Sequence, residues 1–97
     1  QARALFDSLR SGTLDRSKLT PNASYYFTPQ VLADYKSSLA PLGAPTSFEL
    51  AGPKRLRGGF VQRRYVVTYP DRKLSIATFA EPDGAQRYEQ FLVFPAN

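Results

Sequence analysis

Three turn signals in the second half of the chain, Arg57-Gly58-Gly59, Pro70-Asp71-Arg72-Lys73 and Pro82-Asp83-Gly84, constrain its fold more than any other feature. They separate runs rich in Val, Tyr, Phe, Ile and Thr, residue types that suit a pleated, half-buried surface. Strands are expected at approximately Ser47 to Leu56, Phe60 to Tyr69, Leu74 to Glu81 and Arg87 to Phe94. Links this short allow only antiparallel neighbours, since a parallel pair needs a crossover of roughly a dozen residues or more. The expectation is a meander in which Phe60 to Tyr69 lies beside both the first and the third strand.

The turn residues carry their own conformational demands. Gly58-Gly59 suits a tight hairpin, and Pro82-Asp83-Gly84 reads as a type I turn with glycine in the left-handed position. The strands do not divide cleanly into an apolar and a polar face. Phe60, Val66, Ile76, Leu92 and Phe94 compete for burial with Val61, Tyr65, Val67, Phe79, Phe91 and Val93, so one set is expected to stay partly exposed. That surface is the expected contact for a parent domain or a second copy.

The first half is helical. In Ala2 to Ser11, Leu5 and Leu9 share a face with Phe6 beside them, and Gly12 ends the run. Thr13 to Ser24 is polar and is expected to be a loop, with Tyr25-Tyr26-Phe27 an extended segment anchoring the second helix to the sheet. Thr28 then Pro29 is an N-cap with proline at the first helical position, and Val31, Leu32, Tyr35 and Leu39 recur at helical spacing before Pro41 stops the helix. Two N-terminal helices laid across one face of a four-stranded antiparallel meander make an α+β fold.

At 97 residues the chain favours a single domain, residues 1–97, with enough length to bury roughly 60 to 70% of its unfolded surface. It has no Cys and no His. Thiolate and imidazole metal sites, and the Ser-His and Cys-His nucleophile pairs, therefore cannot be built from this chain alone. No catalytic residue, metal or cofactor is expected. Methionine is missing even at position 1, and the chain opens inside a helical pattern, so a piece of a longer protein is expected. No stretch is long and apolar enough for a membrane span.

Four segments carry a family resemblance. Tyr26-Phe27-Thr28-Pro29-Gln30-Val31-Leu32-Ala33-Asp34-Tyr35, Ser38-Leu39-Ala40-Pro41-Leu42-Gly43, Leu56-Arg57-Gly58-Gly59-Phe60, and Pro82-Asp83-Gly84 followed by Glu89-Gln90-Phe91-Leu92-Val93 together resemble the small domain that follows a β-lactamase-like serine hydrolase domain in some bacterial proteins. Such domains are similar in architecture to cystatin-like and nuclear-transport-factor-two-like folds. The resemblance implies a noncatalytic accessory domain for packing, assembly or substrate access, in a periplasmic or otherwise exported protein. The nucleophile of the hydrolases stands in a Ser-x-x-Lys motif. None of Ser8, Ser11, Ser17, Ser24, Ser37, Ser38 and Ser47 is followed by Lys three residues on.

Charge raises a competing reading. The net charge is +5, and Lys54, Arg55, Arg57, Arg63, Arg64, Arg72 and Lys73 crowd the first two hairpins. Basic and aromatic residues on a sheet can hold single-stranded nucleic acid, but turn cations commonly just protect sheet edges, and a solvated surface is the preferred reading over nucleic acid. Alternation along the strand sends one of Arg63 and Arg64 to each face. An inward arginine, with Tyr65, Glu81, Tyr88 and Glu89 as neighbours, could hold the carboxylate of a small anionic ligand in a sheet cavity. The simpler expectation is a cross-strand ion pair between Arg63 and Glu89.

Overall fold

The computed structural model describes residues 2–96. Its helices are α1 (Ala2–Ser11), α2 (Pro21–Tyr26) and α3 (Pro29–Leu39), with single 3-10 turns at Arg16–Lys18 and Ala40–Leu42. The strands are β1 (Ser47–Leu50), β2 (Arg55–Arg57), β3 (Phe60–Tyr69), β4 (Arg72–Ala80) and β5 (Tyr88–Pro95). They form one antiparallel sheet in the order β1-β3-β4-β5, with β2 also paired to β3. The chain is thus α+β with an antiparallel meander. Among the described residues, the expected two helices and four strands are corrected to three α-helices and five strands.

The extra helix occupies the stretch read as a polar loop and an extended anchor. Thr20 caps α2 by accepting from the Ala23 N–H at 3.2 Å, and Pro21 takes the first turn, the same device by which Thr28 and Pro29 start α3. Six residues show too little periodicity to betray a helix. Within the expected anchor only Phe27 is buried, whereas Tyr25 is 88% exposed. The joint between α2 and α3 is held by Arg16, whose guanidinium donates to the carbonyls of Ser24 and Phe27 at 2.7 and 2.6 Å. A cation on the last carbonyls of a helix satisfies orphan acceptors and opposes the helix dipole.

The extra strand comes from a break in the first predicted one. Leu50 pairs with Tyr65, and the ladder resumes with Arg55 opposite Gln62. Ala51 to Lys54 therefore stand against only Arg63 and Arg64. Gly52, at φ +82°, and Pro53, which lacks an N–H, let the chain loop out at this point. Beyond the break, Gly58 and Gly59 form the two-residue β2–β3 turn with φ of +58° and +83°, the doubly left-handed conformation that matches strand twist. The turn before β5 spans Asp83 to Gln86, closed by a 3.3 Å bond from the Gln86 N–H to the Asp83 carbonyl. Gly84 is left-handed at φ +65°, as expected, but it is the first central residue of this turn, so the expected type I geometry is replaced.

Strand pairing also corrects the expected division of faces. A two-residue turn at Pro70-Asp71 pairs Tyr65 with Ile76 and Arg63 with Thr78, so odd positions of β3 share a face with even positions of β4. Ile76 consequently joins Tyr65 and Val67 under the helices, and Phe79 joins Val66 on the other side. The core unites Leu5, Phe6 and Leu9 of α1 with Phe27, Leu39, Val67, Ile76 and Phe91, among others. At β5 the register shifts between Phe79 and Ala80, leaving Glu89 as an extra residue in a bulge.

Candidate functional site

The break in the first strand decides what stands beside the two central arginines. Arg63 and Arg64 lie opposite the looped-out Ala51 to Lys54, so neither has a side-chain partner on a neighbouring outer strand. Arg63 points to the helix-covered face, in the row Arg63–Thr78–Phe91, and Arg64 to the uncovered face beside Ala77. A half-open cleft of about 290 Å³ lies on the covered side, between the start of α1 and the sheet. Arg3, Phe48, Arg63, Tyr65, Gln86 and Tyr88 supply its chemistry.

Each of these side chains has a distinct local reason for its position. Phe48 packs against Phe6 of α1 and against Tyr65, with ring centroids 5.8 and 5.3 Å apart, forming an aromatic wall. Tyr88 stands edge-on to Phe91 at 5.6 Å, and its backbone carbonyl accepts from the Thr20 N–H at 2.9 Å, fixing this corner of the sheet to the start of α2. Gln86 enters because its positive φ of 52° turns the chain back toward β5. Arg3 lies 4.0 Å from Asp7 on the same helix, an exposed pairing that leaves it free to swing.

Of the six residues singled out by sequence, the structure gathers three. Arg63, Tyr65 and Tyr88 share the cleft, whereas Arg64 faces the opposite side of the sheet. Glu81 is taken by Arg87, whose Nε and Nη2 donate to its two carboxylate oxygens at 2.9 and 3.0 Å, with the Arg87 N–H adding a third bond. Those bonds hold the Glu81 pKa below the usual carboxylate range. Glu89, carried outward by the bulge, accepts from the Thr20 hydroxyl at 2.6 Å and the Asn22 amide at 3.3 Å. The expected Arg63–Glu89 ion pair is therefore not formed. Among the described residues Arg63 makes no salt bridge at all.

The cleft is an electropositive site with neutral donors around it. Burial pushes the Tyr65 phenol up and drives that of Tyr88 to about 12, while the nearby Arg63 cation pulls both the other way. Both phenols are therefore protonated at neutral pH and can donate hydrogen bonds. No Asp or Glu lines the cleft. It can bind and orient an anion, but it offers neither a carboxylate base nor a serine nucleophile. Among the described residues no group of three or more acidic, His or Cys side chains is placed to hold a metal ion, and no helix is long and apolar enough to cross a membrane.

A second concavity, about 510 Å³, runs between α3 and the ends of β4 and β5, walled by Val31, Tyr35, Leu39, Leu74 and Val93. Its charged residues already have partners, since Asp34 accepts from Gln30 at 3.0 Å and Arg72 lies 3.5 Å from Asp71. Among the described residues it has no unpaired charged side chain of the kind that Arg63 brings to the first cleft. Sequence reasoning missed Arg3, Phe48 and Gln86, which reach the cleft only through tertiary packing. It also passed over Gly52-Pro53, a breaker pair whose position opposite Arg63 and Arg64 was the available signal. Comparison with protein-family models, with curated proteins and with solved structures gives no match to this chain.

Proposed function

We propose that this chain is a noncatalytic binding module whose cleft takes a small carboxylate with an apolar or aromatic body. The observation that carries this reading is the unpaired Arg63, aimed into a cleft that no carboxylate lines, with the two expected acidic neighbours, Glu81 and Glu89, bonded elsewhere. A guanidinium fork is matched to a carboxylate, and the phenols of Tyr65 and Tyr88 supply further donors. The Phe48–Tyr65 wall provides an apolar surface for the rest of the ligand. A volume of about 290 Å³ suits a ligand at the small end of the usual range.

The test is a screen of aliphatic and aromatic carboxylates against the 97-residue chain, followed by Arg63→Ala. Benzoate-like anions are expected to bind and Arg63→Ala to weaken them at least about tenfold, while the melting temperature moves by only a few degrees. A variant that loses much of its stability while wild type binds no carboxylate would restore Arg63 to a bracing role and end this reading.

A second reading is favoured by the face that the helices leave open. Leu92 and Phe94 are 41% and 40% exposed there, next to the partly buried Val66 and Phe79. This surface fits the cystatin-like accessory domain of an exported serine hydrolase that the sequence resembles, docking on its parent domain or on a second copy. Such an interface would be chiefly apolar with arginines at its rim, burying on the order of 1,000 Å² or more. The domain alone would hydrolyse neither β-lactams nor acyl esters. A domain that stays monomeric at high concentration and ignores the upstream hydrolase domain in co-purification would leave the cleft as the functional surface.

A further inference from the structure

On the uncovered face, the same break in the first strand opens a recess of about 360 Å³ walled by Arg55, Arg57, Gln62 and Arg64 and floored by the Ala51–Pro53 backbone. Arg55 and Arg57 are two residues apart on β2, so their side chains leave on the same side of the sheet. Arg55 is directly opposite Gln62, and Arg64 lies two residues beyond Gln62 on β3. The Ala51 N–H donates to the Arg64 carbonyl at 2.8 Å, which ties the looped-out connector to the strand bearing the third arginine.

The charge in this recess is uncompensated. Among the described residues, the side chains of Arg55, Arg57 and Arg64 make no salt bridge. The chain has eight acidic residues, and six are engaged elsewhere: Asp7 with Arg3 and Arg10, Asp15 with Ser17, Asp34 with Gln30, Asp71 with Arg72, Glu81 with Arg87 and Glu89 with Thr20. Asp83 belongs to the turn before β5. Glu49, opposite Val66 on the same face, is the one carboxylate a row away, and it offers a single charge against three.

We infer that this recess is a binding site for a doubly charged tetrahedral oxyanion, phosphate or sulfate, carried on a larger molecule. Guanidinium forks converging from two strands can each give paired N–H donors to such a group, and the Gln62 amide adds a neutral donor. A divalent anion also relieves the mutual repulsion of the arginines more fully than a carboxylate can. The recess exceeds what one oxyanion needs, leaving room for the body to which it is attached. This site is on the opposite side of the sheet from the carboxylate cleft and stands independently of it.

The inference is tested by following the arginine side-chain N–H resonances of the folded chain at constant ionic strength. The probes are inorganic phosphate, inorganic sulfate, a sugar phosphate, a short single-stranded oligodeoxynucleotide, and chloride as the reference. Phosphate and sulfate are expected to shift the signals of Arg55, Arg57 and Arg64 saturably. Arg64→Gln and Arg57→Gln should each weaken binding about tenfold. Lys73→Gln, on the same face but outside the recess, should change it by no more than about twofold. A tighter sugar phosphate or oligonucleotide, weakened by the same two variants, would support the site and identify the source of the oxyanion. The inference is overturned if the ions act no differently from chloride, if Lys73→Gln is as damaging as Arg64→Gln, or if only the oligonucleotide binds.

Discussion

The two faces of this sheet are made by the same strands and have opposite fates. On the covered face, Val67, Ile76 and Phe91 are no more than 1% exposed, closed over by α1, α2 and α3. On the other face, Leu92 and Phe94 retain 41% and 40% exposure, and the arginines of β2 and β3 stand in solvent. The difference is one of position rather than residue type, since Phe91 and Phe94 belong to one strand. A hydrophobic residue contributes to stability only where a second layer removes it from water. The two faces meet at the break in the first strand, where one arginine enters each.

The sharpest way to break the comparison is to truncate a phenylalanine on each face. Phe91→Ala should cost about 3–5 kcal/mol in urea unfolding, because it leaves a cavity, whereas Phe94→Ala should cost less than about 1 kcal/mol. Equal costs would mean that the open face is covered in solution.

The alkaline limit of stability probes the covered face alone. Tyr88 has its phenol raised from 10.0 to about 12, chiefly by burial, so the folded state holds that proton more tightly than the unfolded chain does. Its contribution is complete below about pH 10 and is lost as pH rises toward 12. Tyr88→Phe is expected to flatten stability across that window, as measured by unfolding at successive pH values. An unchanged slope would place the ring in water.

The smallest expected stability change comes from deleting Gly52 and Pro53. Lys54 would then fall opposite Arg63, and Arg55 would keep its place opposite Gln62, so β1 and β2 would merge into one strand without changing register. Stability should move by no more than about 1 kcal/mol, since an irregular connector is exchanged for two ladder positions. Anion binding on both faces should fall together. Separate losses would show that the cleft and the recess do not share this structural origin.

Much of the frame was legible in the chain. The Gly58-Gly59 turn, the Thr28-Pro29 cap and the Ala2–Ser11 periodicity each act over a few neighbouring residues and are found where the sequence places them, whereas the turn expected over Pro70 to Lys73 is shortened to Pro70-Asp71. The helix at Pro21–Tyr26 carried the same Thr-Pro start signal, but Tyr25 and Tyr26 offered no apolar stripe to support it. The assignment of Ile76 and Phe79 to faces failed because it carried odd and even numbering straight across the Pro70 turn, whereas any hairpin loop with an even number of residues sets odd β3 positions beside even β4 positions. A single position of slip exchanges every side chain in a strand.

The site was less legible for a related reason. The pairing of Glu89 with Thr20 joins residues 69 apart in sequence, and it arises from a bulge that no local pattern specifies. Releasing Arg63 from the expected ion pair required that distant contact, together with the loop at Gly52. Sequence alone determined the α+β class, the antiparallel order and the absence of imidazole and thiol chemistry, because turns, caps and composition are local properties of the chain. Which arginine faces the cleft, what surrounds it and which sheet face stays open were decided by the tertiary structure, since strand register and the docking of helices depend on contacts between distant segments.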